Sequence, residues 1–267
     1  MTLFKLEYKT HIKSLLIWII VVSILTFGIM AMFPSMEDMM SSFDMNAMPQ
    51  EMLEAFNISS MATLATVEGF FGYYFQYILI ASAIFAAMLG TNALVREESE
   101  GTIQYLYAQP ISRTSIVGEK MLANIVLYTL YWLAIIIVSF FACVIFKDSE
   151  TEVSDLFSNF SLLTLSGWIM GMTFLHVGFL FSALLSSKKS TTSLSLGFVF
   201  LTFILGIVGK LQEDFQPLLY FSPIEAATPT RIFQDVIEGK YMLTDIIVLF
   251  LCCLATFWIY QRKDMKV

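Results

Sequence analysis

Residues 15–33 read LLIWIIVVSILTFGIMAMF, with Pro34 directly after. The run carries no charge. At 1.5 Å per residue, a helix of this length crosses a hydrocarbon core of roughly 30 Å. Pro34 stops it, since a proline lacks the N–H that a continuing helix needs. Five further apolar blocks follow, at about 70–95, 121–146, 162–186, 192–208 and 246–260. One short apolar block could be the core helix of a soluble domain, but six of about this length predict an all-α membrane protein with six transmembrane helices in one domain, 1–267.

Composition agrees. Of 267 residues, 57% are hydrophobic and 14% charged, against roughly 25% charged in soluble domains. Mean hydropathy is +0.75. The net charge of -7 argues against a nucleic-acid partner, which needs clustered Lys and Arg. Cys143, Cys252 and Cys253 all lie in apolar blocks without a C-x-x-C spacing, so they read as small apolar residues and no metal is expected. The segment before the first run keeps His11 and Lys13, that run is too long for a signal peptide, and no small-residue cleavage site follows. The N-terminus is therefore expected to be retained.

Basic residues orient the chain. The segments 1–13, 96–120, the Lys188–Lys189 turn and the tail hold eleven Lys and Arg, while the other connections hold four, Lys147, Lys210, Arg231 and Lys240. Lys and Arg stay cytoplasmic, so both termini are expected inside. Segment 1–13 puts Phe4, Tyr8 and Ile12 at helical spacing among Lys5, Lys9 and Lys13. This predicts an interfacial helix in the headgroup layer.

Of the three connections expected outside, two stand out. Residues 34–66 contain Met36, Met39, Met40, Met48 and Met52 beside several acids and no Lys or Arg. Met is polarizable and adaptable on binding surfaces, so these five are candidate cargo contacts for a cationic amphipathic peptide. Thioether binding of reduced copper and plain packing are the alternatives. Residues 210–245 are rich in aromatics and proline and too long for a bare connection. Inside the spans, Gln76, Asn92, Asn124 and His176 are the notable polar residues; Gln76 and His176 are kept as further candidate cargo contacts, with packing as the plainer reading. No Asp, Glu, Lys or Arg falls well inside an apolar run, which counts against an ion-coupled transporter. Gly167 and Gly171 form a G-x-x-x-G that permits close helix approach.

The most informative polar stretch is 96–120, REESEGTIQYLYAQPISRTSIVGEK. It opens on Glu97, Glu98 and Glu100. After Gly101, Ile103, Leu106 and Tyr107 form the stripe of a short amphipathic surface helix, and Ser112 can cap the next helix. The plainer reading is a solvated loop with a cap. This stretch resembles the permease subunits of type-2 ABC exporters, which carry E-E-x-x-G-T-[IL]-x-x-L-x-x-x-P-[IV]-S-R and then a Lys after the second span. Glu97, Glu98, Gly101, Thr102, Ile103, Leu106, Pro110, Ile111, Ser112, Arg113 and Lys120 match. The Ser222-Pro223-x-x-Ala226 segment extends the likeness more loosely.

The resemblance implies an elbow helix at 1–13, a cytoplasmic coupling helix within 96–120, and short extracellular helices in 210–245 that cap the exit. It implies a separate ATP-binding subunit that binds ATP and Mg, a second permease chain, and an exported hydrophobic or amphipathic cargo such as a peptide toxin or antimicrobial. An immunity or sensor subunit that binds external peptides, or a permease for a drug, lipid or metal-related cargo, are the alternatives. The expected location is a bacterial cell membrane. No G-x-x-x-x-G-K-[ST] occurs in the chain, so neither catalysis nor a bound cofactor is expected of it. Glu97, Glu98, Glu100, Gly101, Thr102, Leu106, Pro110 and Arg113 are the residues expected to couple it to the ATPase.

Overall fold

The computed structural model describes residues 2–35, 66–107, 110–147, 151–233 and 239–263. Among these, there is no strand, and six helices are long and apolar enough to cross a membrane. They are the first, Thr2–Met30, second, Val67–Ala93, third, Arg113–Phe146, fourth, Val153–Leu184, fifth, Thr191–Leu211, and sixth, Gly239–Arg262. Most outrun their apolar blocks, because flanking polar residues continue the helical hydrogen bonding. The third begins where Ser112 Oγ accepts from Ser115 N–H at 3.2 Å, the expected cap.

The second and fourth helices form the buried centre, and the first, fifth and sixth present most of their surface outward. The first packs along the third, the sixth against the fourth, and the fifth against the second. Small residues set the closest approaches. A Cβ on Gly90 would stand 2.2 Å from Leu175 O, and one on Gly178 2.7 Å from Ala87 O, so the second and fourth backbones touch there. Gly167 and Gly171 are filled by Trp132 and Tyr128 of the third helix, at 2.2 and 1.9 Å from an added Cβ. The G-x-x-x-G is thus a seat for aromatic rings within the chain. Trp132 Nε1 also donates to Thr164 O at 2.8 Å, giving the indole N–H the partner that burial demands.

The N-terminal segment departs from expectation. Residues 2–13 are not a separate elbow; they continue into the first helix without interruption. No Gly or Pro occurs before Gly28, so nothing breaks the hydrogen-bond ladder. One buried seam, Leu3, Glu7, Leu15, Val22, Thr26 and Met30, runs the whole length, while Lys5, Lys9 and Lys13 point outward. The face that carries Tyr8 and Ile12 packs against the core.

The connection before the sixth helix folds into short helices, Glu213–Phe221 and Pro223–Ala227 in 3₁₀ form and Pro229–Ile232 in α form. An ion pair anchors them: Lys210 Nζ lies 2.6 Å from Glu225 Oε1, with both side chains buried, and Arg231 Nη1 lies 3.9 Å from Glu225 Oε2. Buried ionisable groups therefore do occur in the flanks of the long helices and beside them, outside the apolar runs. Glu7, Lys120, Glu225 and Asp245 are all buried. Asp245 belongs to the sixth helix, where Thr173 Oγ1 donates to its backbone carbonyl at 3.2 Å, and its Oδ2 has no hydrogen-bond partner among the described residues. Glu7, Lys120 and Asp245 are buried because the helices extend past the apolar runs and carry flanking charges into the packed bundle.

Candidate coupling site

Residues 93–120 lie at the end of the bundle that also holds Phe4 and Lys263, since Phe4 N–H donates to Glu119 Oε2 at 3.2 Å and Lys263 reaches Glu98. The second helix stops at Ala93, and Ser182 Oγ of the fourth accepts from the N–H groups of Leu94 and Val95 at 2.8 and 3.0 Å. That bond pair fixes the direction in which the chain leaves. A five-residue helix, Val95–Ser99, follows. Gly101, at φ +70°, ends it, with Glu100 N–H bonded to Arg96 O and Thr102 N–H bonded back to Glu97 O, each at 2.9 Å. This is the Schellman arrangement, whose left-handed residue is best supplied by glycine. A second short helix, Ile103–Tyr107, then runs on. Its Ile103 is buried and its Leu106 packs on the core, while Gln104 is exposed.

The charged residues of this segment fall into four groups. Glu97 pairs with Lys120, whose ammonium is 1% exposed, also donates to Ala93 O, and lies 3.8 Å from Glu7 Oε2. Asn124 Nδ2 and His11 Nε2 lie 3.4 and 3.3 Å from Glu7 Oε1. Two carboxylates from distant parts of the sequence thus share one buried cation. Glu98 takes Lys263 Nζ at 2.7 Å, and the same ammonium donates to Leu185 O just past the fourth helix. Arg113 Nη1 donates to Tyr260 O, Gln261 O and Lys263 O at 3.4, 3.0 and 2.8 Å. A guanidinium at the start of the third helix thereby caps the end of the sixth, whose last carbonyls lack partners of their own. Glu100 is different. It lies 3.4 Å from Arg96 Nε and 3.3 Å from Lys188 Nζ, and it is 44% exposed.

Of the residues singled out for coupling, Glu97, Glu98 and Arg113 are therefore internal ties that join the first, third, fourth and sixth helices to the loop. Glu100, Gly101, Thr102 and Pro110 are exposed. Sequence reasoning missed Glu7 and Lys263 as partners. The signal was an acid on the inner seam of the first helix and a lysine just past the last, each meaningful only once its neighbour is known. Gln76 and His176 are buried, and His176 Nδ1 lies 2.7 Å from Met172 O of its own helix. Met36, Met39, Met40, Met48 and Met52 lie outside the described residues.

A family model described as ABC-2 family transporter protein matches residues 1–265. A comparison with curated proteins gives no match.

Proposed function

The chain belongs to the ABC-2 family of transporter proteins, and we propose that it is the permease of an exporter whose cargo is hydrophobic or amphipathic. It is a multi-pass membrane protein of the family's membrane-subunit kind, and the family implies partnership with an ATP-binding subunit. In this reading that subunit hydrolyses ATP on the cytoplasmic side, where both termini lie, and two copies of the chain pair around the pathway in a bacterial cell membrane.

One observation carries the coupling part of the reading. The segment from Leu94 to Tyr107 and from Pro110 to Ser112 is tied to four helices by part-buried ion pairs and caps, and it exposes Glu100, Thr102, Gln104 and Pro110. A surface that transmits force to a helix bundle needs such stiff attachment behind it. Under this reading Glu97, Glu98 and Arg113 transmit motion, and the exposed residues meet the ATPase. Charge reversal at Glu98 is then a poor probe of docking, because it would set two cations together beside Leu185 O.

The test is copurification. A tagged chain expressed with the ATP-binding-cassette protein encoded beside it should bring that protein down, and ATP hydrolysis should change on adding cargo. Gln104→Arg should weaken the recovery while leaving the thermal unfolding of the chain unaltered. A chain that purifies alone and conducts ions would sink the proposal.

A further inference from the structure

A cavity of about 340 Å³ opens at the same end of the bundle, between the first helix, the second helix and the start of the fifth. Its size falls within the usual range of small-ligand sites, roughly 300–1,000 Å³. The lining is mixed: Arg96 and Lys188 supply two cations among several uncharged polar groups and His11, and Trp18, Phe85 and Met88 supply apolar surface. Trp18 and Phe85 pack with ring centroids 5.4 Å apart. Trp18 belongs to the apolar run that begins after the basic segment 1–13, and Phe85 to the run that ends just before Arg96, whereas Arg96 and Lys188 sit in the basic flanks. The cavity therefore straddles the boundary between the polar and apolar layers.

We propose that this cavity binds an amphiphile with an anionic head, the head held between Arg96 and Lys188 and the apolar body laid on Trp18, Phe85 and Met88. Charge and shape exclude other classes. A cationic head would meet two cations, and a small soluble anion would leave the aromatic floor facing water. Glu100 is the resident competitor. Its contacts to Arg96 and Lys188 are long, and it is half exposed, so each is a weak pair. A phosphate or carboxylate that reaches the guanidinium with two oxygens makes a stronger, charge-assisted contact. Arg96 and Glu100 also belong to the loop assigned to ATPase docking, so a bound head group would compete with the exposed Glu100 of that loop for Arg96 and Lys188. The inference deepens the exporter reading by naming the chemistry of the cargo, and it rests on that reading for the word cargo; the binding is measured without transport.

The probe is Trp18. The full chain is placed in phosphatidylcholine nanodiscs with increasing mole fractions of brominated-chain phosphatidylglycerol or brominated-chain phosphatidylcholine, and the Trp18 share of the fluorescence is obtained by difference from Trp18→Phe. The anionic lipid should quench that share at an about five-fold lower mole fraction than the zwitterionic one, the scale of one charge-assisted contact. Arg96→Gln with Lys188→Gln should remove the preference, and Glu100→Gln should increase it, so the two sets of variants move the signal in opposite directions. Dodecyl phosphate should relieve the quenching, and inorganic phosphate at equal concentration should not. Equal quenching by both lipids, a preference that survives the double variant, or equal relief by inorganic phosphate would each overturn the proposal. A chain that binds no ATPase but keeps the lipid preference would fail only the exporter reading; one that couples but shows no preference would fail only this one.

Discussion

Glu97 and Glu98 stand two or three residues from Glu100, yet they live in different environments. The first two point into the bundle, Glu97 onto the buried Lys120 of the third helix and Glu98 onto the half-buried Lys263 just past the sixth. Glu100 stays at the surface with two half-exposed cations. Glu97 and Glu98 lie within the short helix, whereas Glu100 is the residue that follows it, just before the glycine at positive φ. The difference shows how one acidic run can serve two tasks. Buried pairs fix the loop to the helices, because breaking one leaves an uncompensated charge. Exposed charges remain free to exchange partners, because solvent screens them and little is lost on separation.

The contrast can be broken most severely at Lys120. Lys120→Met leaves Glu7 and Glu97 buried without their cation and should cost about 3–5 kcal/mol, seen as a large drop in unfolding temperature in detergent. Adding Glu7→Gln and Glu97→Gln to that variant should restore much of it, since the stranded charges are gone. Arg113→Ala comes next. It strips a charged donor from three carbonyls at the end of the sixth helix and should cost about 1–3 kcal/mol, with faster hydrogen exchange confined to residues near 258–263. Asp245 sharpens the comparison, as a buried acid whose Oδ2 has no hydrogen-bond partner among the described residues. Asp245→Asn removes the possibility of a buried charge there and should raise stability by about 1 kcal/mol; a loss of that size would mean that the carboxylate is paired in the working protein. Gln104→Arg, on the exposed side of the loop, should change stability by less than about 0.5 kcal/mol and reveal itself only in reduced recovery of the ATP-binding subunit.

The same contrast explains the first helix. Read from its sequence, residues 1–13 look like a surface segment, because Lys5, Lys9 and Lys13 alternate with aromatics. Those lysines do face outward. Leu3 and Glu7, however, fall on the inner seam and continue the spacing of Leu15 and Val22. An interfacial helix and the first turns of a long span have the same amphipathic pattern. What separates them is whether a partner surface waits on the inner side, and here the start of the third helix supplies one through Glu119, Lys120 and Asn124.

Six apolar runs, their lengths and the placement of Lys and Arg are local properties, and they suffice for the helix count and for an expected orientation. The motif from Glu97 to Arg113 is also local, and it suffices for the family. The roles within that motif are not local. Glu97, Glu98 and Glu100 are chemically alike and nearly adjacent. They part company because Lys120 and Lys263 arrive from 23 and 165 residues away, while Glu100 lies beyond the last turn that faces the bundle. The cavity is likewise invisible along the chain, since Trp18, Phe85 and Lys188 become neighbours only when the first, second and fifth helices pack. Burial and charge pairing depend on which surfaces meet, and that is decided by packing between helices, whereas the length and polarity of each helix are written in its own residues.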